Sequence, residues 1–124
     1  MGLELAPYLP PQFWVVSAAG SIVGYGSEAI EGVFEIYLPG GDEEGWMGAV
    51  EGNLIEFSNG EPAGNVDDQR VLDDEGTLVA IIHGNEILGP DGKLIATTTG
   101  DAPAPARGGA ALLLKMLIRS AKLD

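Results

Sequence analysis

Few residues of this chain could carry chemistry, and their spacing limits what that chemistry would be. His83 is the only histidine, within Ala80-Ile81-Ile82-His83-Gly84, and the chain has no cysteine. A lone imidazole without a second His or a thiolate beside it reads as a turn residue rather than a metal ligand or catalytic base. No serine occupies a Gly-x-Ser-x-Gly elbow, and no glycine-rich phosphate loop with its Lys-Ser/Thr is present. The acid clusters Asp42-Glu43-Glu44, Asp67-Asp68 and Asp73-Asp74-Glu75 offer oxygen ligands of the kind Ca²⁺ takes. None follows the alternating spacing of a calcium loop, so they read as charged hairpin tips that keep strands from pairing with other chains. Trp14, Trp46, Tyr25, Tyr37 and Phe57 could line a ligand pocket, but such aromatics more often serve a core or an interface. No enzymatic activity, cofactor or metal is expected from these residues.

The elements that would hold them follow a period. Small residues stand at Gly48, Gly64, Ala80 and Ala96, sixteen apart each time, with an offset copy at Gly20 and Gly24. Gly60, Gly76 and Gly92 each precede one of them by four and open a short apolar run. A unit of this length suits one β-hairpin with its turn. Leu54-Ile55-Glu56-Phe57, Val71-Leu72 and Ile87-Leu88 supply the strands before the turns, and Asn59-Gly60 and Asp91-Gly92 supply positive φ. Five hairpins, or about ten strands, are predicted between Phe13 and Thr99. Strict alternation would place Ile22, Trp46, Pro62, Leu78 and Leu94 on the face of the small residue, with Gly26, Val50, Val66, Ile82 and Thr98. It would place Val23, Met47, Ala63, Val79 and Ile95 on the opposite face, as an apolar surface for an oligomer or a protein partner.

After residues 1–12, an extended segment, and the hairpin domain 13–100, the character changes. Residues 101–109 are rich in Pro, Ala and Gly and read as a linker. Residues 110–123 have strong helix formers throughout and no Gly or Pro, so a helix is expected there as part of the same domain. Lys115, Arg119 and Lys122 would form a thin basic stripe on an otherwise apolar helix, which favours burial. Ten to twelve strands can close around a helix about 10 Å across, and small residues at one level would let the wall approach it. A helix capping an open sheet and a free tail are the alternatives.

Composition narrows the partners. The net charge is −13, and residues 1–101 hold eighteen acids against only Arg70 and Lys93. Such a body repels phosphate backbones, so direct nucleic-acid binding is not expected. The amino terminus lacks a basic region and a long apolar stretch, and no apolar run approaches the length of a spanning helix, so a soluble, cytoplasmic protein is the expectation.

Hairpins with Asp-Gly turns followed by an apolar C-terminal helix resemble the tubby C-terminal-like barrels, including the scramblase and LURP-one groups. The run Leu88-Gly-Pro-Asp-Gly-Lys-Leu-Ile-Ala96 is also similar to the hairpin repeats of small bacterial β-flower proteins. The resemblance spans residues 13–123 and implies an all-β barrel or flower packed on or around its helix. It transfers no functional residue: the chain is short for a twelve-stranded tubby barrel and lacks a basic phosphoinositide-binding surface. The expected function is a non-enzymatic binding or assembly module, acting on a protein partner or on a second copy. The alternative is a membrane-surface or cargo-docking adaptor working through the helix, with Leu113, Met116, Leu117, Lys115, Arg119 and Lys122 as its contacts.

Overall fold

Each hairpin is set by its turn. The structure, a computed structural model, describes residues 11–39 and 45–117. Gly60, Gly76 and Gly92 donate their N–H groups to the carbonyls of Phe57, Asp73 and Gly89, three residues earlier, at 2.8–3.0 Å. All three have φ between +83° and +89°, a region in which a Cβ is costly. Side chains complete the turns: Asn59 Oδ1 accepts from Glu61 N, and Asp91 Oδ1 accepts from Lys93 N. Asp73 Oδ1 accepts from both Glu75 N and Thr77 N, each at 2.9 Å.

Ten antiparallel strands result: β1 Phe13–Ser17, β2 Ile22–Ile30, β3 Val33–Tyr37, β4 Trp46–Glu51, β5 Leu54–Phe57, β6 Pro62–Asp67, β7 Arg70–Asp73, β8 Leu78–His83, β9 Glu86–Leu88 and β10 Leu94–Gly100. Each pairs with its sequence neighbour, and β1 pairs with β10 from Phe13↔Gly100 to Ser17↔Ala96, closing a barrel. Closure removes every free strand edge. The helix α1, Ala104–Leu113, lies inside it and packs against strands from all around the wall. This is the wrapped arrangement expected from the period.

The small residues face the helix. A Cβ added at Gly24 would lie 2.6 Å from Leu114 Cδ1, one at Gly48 2.8 Å from Leu113 Cδ2, and one at Gly64 3.0 Å from Leu112 Cδ2. Three successive leucines thus meet three successive anchors of the wall. Ala80 and Ala96 continue the level, both fully buried.

The strict alternation expected along the strands does not hold. Register shifts once beside every anchor: Val15 pairs with Gly24 but Val16 with Ile22, and Val71 with Ala80 but Leu72 with Leu78. The same shift occurs beside Gly48, Gly64 and Ala96. Val23, Met47, Ala63, Val79 and Ile95 are therefore bulge residues, an extra residue opposite one partner residue. A bulge turns two consecutive side chains toward one side. Ala63 and Val79 are fully buried, and Val23, Met47 and Ile95 pack against the core, so they are not the outer surface the alternation predicted. The residues two before the anchor go outward instead: Ile22 is 53% exposed and Leu94 41%.

The helix also begins earlier than its composition suggests. Pro103 is its N-cap, and the first turn contains Pro105, where a missing N–H costs no helical bond. Gly108 and Gly109, read from sequence as linker, are buried mid-helix against Val71, Ile82, Val50 and Ile55. Tertiary packing outweighs their poor helix propensity. The helix stops at Leu113 because Lys115 takes φ +61°. Lys115 N donates to Leu112 O and Met116 N to Ala111 O, the paired bonds of a Schellman cap.

Candidate functional site

The lumen is a packed core, not a binding cavity. Phe13, Val15, Ile36, Val50, Ile55, Val66, Val71, Ile82 and Ile87 close on Ala106, Ala110, Ala111 and Leu113, none more than 1% exposed. One mouth is tied to the helix by Arg107. Its guanidinium donates to Ala102 O at 2.8 Å, Thr98 Oγ1 at 3.0 Å and Gly100 O at 3.2 Å. These bonds answer carbonyls at the β10–α1 junction and make Arg107 a structural residue.

The sequence-expected interaction residues mostly lie inside. Leu113 is fully buried and Leu117 buried, while Met116 and Leu114 pack half-buried against the core. Lys115 is exposed at the other mouth, beside a depression of about 370 Å³ that Met47, Phe57 and Glu61 also line. Arg119 and Lys122 lie outside the described residues. Of the basic stripe only Lys115 is described, and it lies beyond the end of α1.

The chemical candidates separate too. His83 is exposed at the end of β8, with Nδ1 3.6 Å from Glu86 Oε1 across the tight turn. Asp67 accepts from Arg70 at 2.8 Å, and Asp73 is buried capping its turn. Asp42, Glu43 and Glu44 lie outside the described residues. Among the described residues, no group of three or more His, Cys, Asp or Glu is placed to hold a metal ion. No described helix is long and apolar enough to cross a membrane. Tyr25 and Tyr37 stack across strands at a centroid distance of 5.4 Å, Trp14 lies tilted against Tyr25 at 5.3 Å, and Tyr37 donates to Glu35 at 2.8 Å. Trp46 Nε1 donates to Gly48 O, and Phe57 packs against the core. Cross-strand stacking is what such aromatics do on a sheet.

What the structure does assemble is a wall. The bulges send Val16 and Ile22, Leu72 and Leu78, and Leu88 and Leu94 outward as cross-strand pairs. Ile81 pairs with Leu88 in the same band. None of these side chains belongs to the lumen cluster or packs against it. Where β1 closes on β10, Val16 stands opposite Thr97 and Thr97 opposite Glu86, so Val16 and Ile22 lie on a different row from Ile81, Leu88 and Leu94.

Charge divides the barrel the same way. Each strand from β2 to β7 carries one acid: Glu28, Glu35, Glu51, Glu56, Asp67 and Asp73. Across β8, β9, β10 and β1 the only acid is Glu86. The strands β8, β9, β10 and β1 thus carry less negative charge than the rest of the wall, although Asp74, Glu75, Asp91 and Asp101 stand in the turns and ends beside them. Sequence reasoning missed this face because it assigned the outward positions to the wrong residues. Comparison with protein-family models, curated proteins and solved structures finds no match.

Proposed function

We propose that this chain is a non-enzymatic protein-binding module whose working surface is the outer wall of β8, β9 and β10. The observation that carries this reading is the outward apolar row of Ile81, Leu88 and Leu94, which pair directly across β8, β9 and β10. Contiguous exposed apolar surface of this kind is a mark of interaction sites. A lumen filled by the chain's own helix leaves the exterior as the place where a partner can act. The closed ten-stranded barrel around a C-terminal helix suits the tubby-like and β-flower resemblance, and membership of such a group, in a cytoplasmic setting, is part of this proposal. Phosphoinositide binding is not, since the charge has the wrong sign. An adaptor acting through Leu113 would require α1 to leave the lumen at the cost of the core, whereas one acting through exposed Lys115, beyond the end of α1, would not.

The test compares the proteins cross-linked to wild type with those cross-linked to Leu88→Glu, with Glu56→Lys on the acidic side as control. Leu88 is half-buried and outside the core, so the variant should fold. Partners held by wild type and by Glu56→Lys, and lost by Leu88→Glu, would support the wall as the site. An unchanged set of partners in Leu88→Glu would refute it.

A further inference from the structure

We infer that the outer face of β1–β4 is a docking groove for an extended, proline-rich segment, and that its occupant is residues 3–10 of the same chain. This face is on a different side of the barrel from the β8–β10 wall, and neither reading depends on the other.

The groove is an aromatic row on the outside of the barrel. A Cβ on Gly24 or Gly26 would meet Leu114 or Phe13 in the lumen, so Tyr25 and Ser27 point the other way. Phe34 and Ile36 belong to the lumen cluster, which turns Tyr37 outward on β3. Trp14 pairs with Tyr25, Tyr25 with Tyr37 and Tyr37 with Trp46, so four aromatics stand side by side across four strands. None of the four belongs to the lumen cluster.

The outer face of a barrel is ordinarily solvated, and the middle of this row is not. Tyr25 is 0% exposed, Tyr37 2% and Ser27 3%. Trp14 and Trp46, at the two ends of the row, are half-buried. Neighbouring rings cover one another's faces, but the outer rim of a ring standing on a sheet needs a cover above it.

Position and charge choose the cover. Gln12 N donates to Gly26 O at 2.7 Å, which brings the chain onto the wall beside Ser27. The aromatic row is then about 7 Å away and about 14 Å wide, and ten residues of polyproline conformation reach about 31 Å. Residues 1–10 carry Glu4 as their one charged side chain, with Leu3, Leu5, Tyr8 and Leu9 as apolar anchors. Pro7, Pro10 and Pro11 favour an extended chain that spends no backbone hydrogen bonds, and aromatic rows are what such chains dock on. Residues 40–44, between β3 and β4, would instead bring Asp42, Glu43 and Glu44 against Glu35, which stands opposite Ser27 on this face. The described chain ends at Leu117, beyond the end of α1, whereas Ser27 lies beside Gln12, where the chain enters β1.

Nuclear Overhauser spectroscopy of the isotope-labelled full chain reads the occupant directly. The expected result is contacts from Leu5, Tyr8, Leu9 and Pro10 to the ring protons of Tyr25 and Tyr37. The variant Leu5→Ser/Tyr8→Ser/Leu9→Ser changes only the segment, so its circular dichroism should match wild type while those contacts are lost. Contacts that persist in that variant would overturn the inference. So would ring contacts that come from residues 39–45 or 118–124 instead, or rings that touch nothing beyond their own strands. Contacts seen only between a labelled and an unlabelled copy would also overturn it, by assigning the segment to a second molecule.

Discussion

Glycine at the centre of a helix ordinarily invites replacement by alanine, which gains about 1 kcal/mol of helix propensity per site. Gly108 and Gly109 should respond with the opposite sign, because α1 is enclosed. A Cβ on Gly108 would lie 2.6 Å from both Val71 Cγ2 and Ile82 Cδ1. One on Gly109 would press on Val50 Cγ2 and sit 3.2 Å from Ile55 Cγ1. Carbon atoms attract best at about 3.5–4.0 Å, so the wall must give by about 1 Å at each site. Valine gives little, since its branched side chain is stiff at χ1. Overpacking of this kind costs about 1–3 kcal/mol per site. Set against the propensity gain, the double variant Gly108→Ala/Gly109→Ala should lose about 2 kcal/mol. In a domain of this size that lowers the melting temperature by roughly 5–10 °C. Urea denaturation at 25 °C, with m unchanged, is the matching equilibrium assay. A double variant more stable than wild type would mean the helix is not inside the barrel, and the packing argument would fall.

Other substitutions probe separate parts of the same architecture. Ala80→Leu, at a fully buried anchor, should cost about 1–3 kcal/mol in the same urea assay, and a neutral result would mean the anchor faces open space. Lys115→Gly should stabilise by about 1 kcal/mol, because the Schellman cap holds Lys115 at φ +61°; a loss of stability would show that its side chain matters more than its backbone. Arg107→Met should cost about 1 kcal/mol by removing the donor of the part-exposed carbonyls of Ala102 and Gly100, measured as a fall in melting temperature.

Much of this fold is written in local chemistry. Turn residues at Asn59-Gly60, Asp73–Gly76 and Asp91-Gly92 require particular backbone angles, so they mark hairpins wherever they occur. The small anchors likewise announce a close approach, and Leu112, Leu113 and Leu114 are what approach. The outer wall was hidden for a different reason. A bulge adds a residue to one strand without changing its composition, and it reverses the facing of every residue beyond it. Val79 therefore looks like a surface residue from its spacing, and Leu78 looks like a core residue. A usable signal existed: an apolar or small residue directly before each anchor in all five copies, where alternation would put polar residues. The neighbourhood of β1 and β10 is a property of closure and has no local sequence signature. Gly108 and Gly109 were unreadable for a related reason, since their value lies in the wall they touch.

The central claim is that α1 fills the lumen and leaves the outer wall to act. Native-state hydrogen exchange of the amides of α1 tests it most directly. Amides of Ala110 to Leu113 should exchange only through global unfolding, with the same free energy as Val79 and Ile82 in β8. Exchange of those helix amides at the rates of a free peptide, while β8 stays protected, would contradict it.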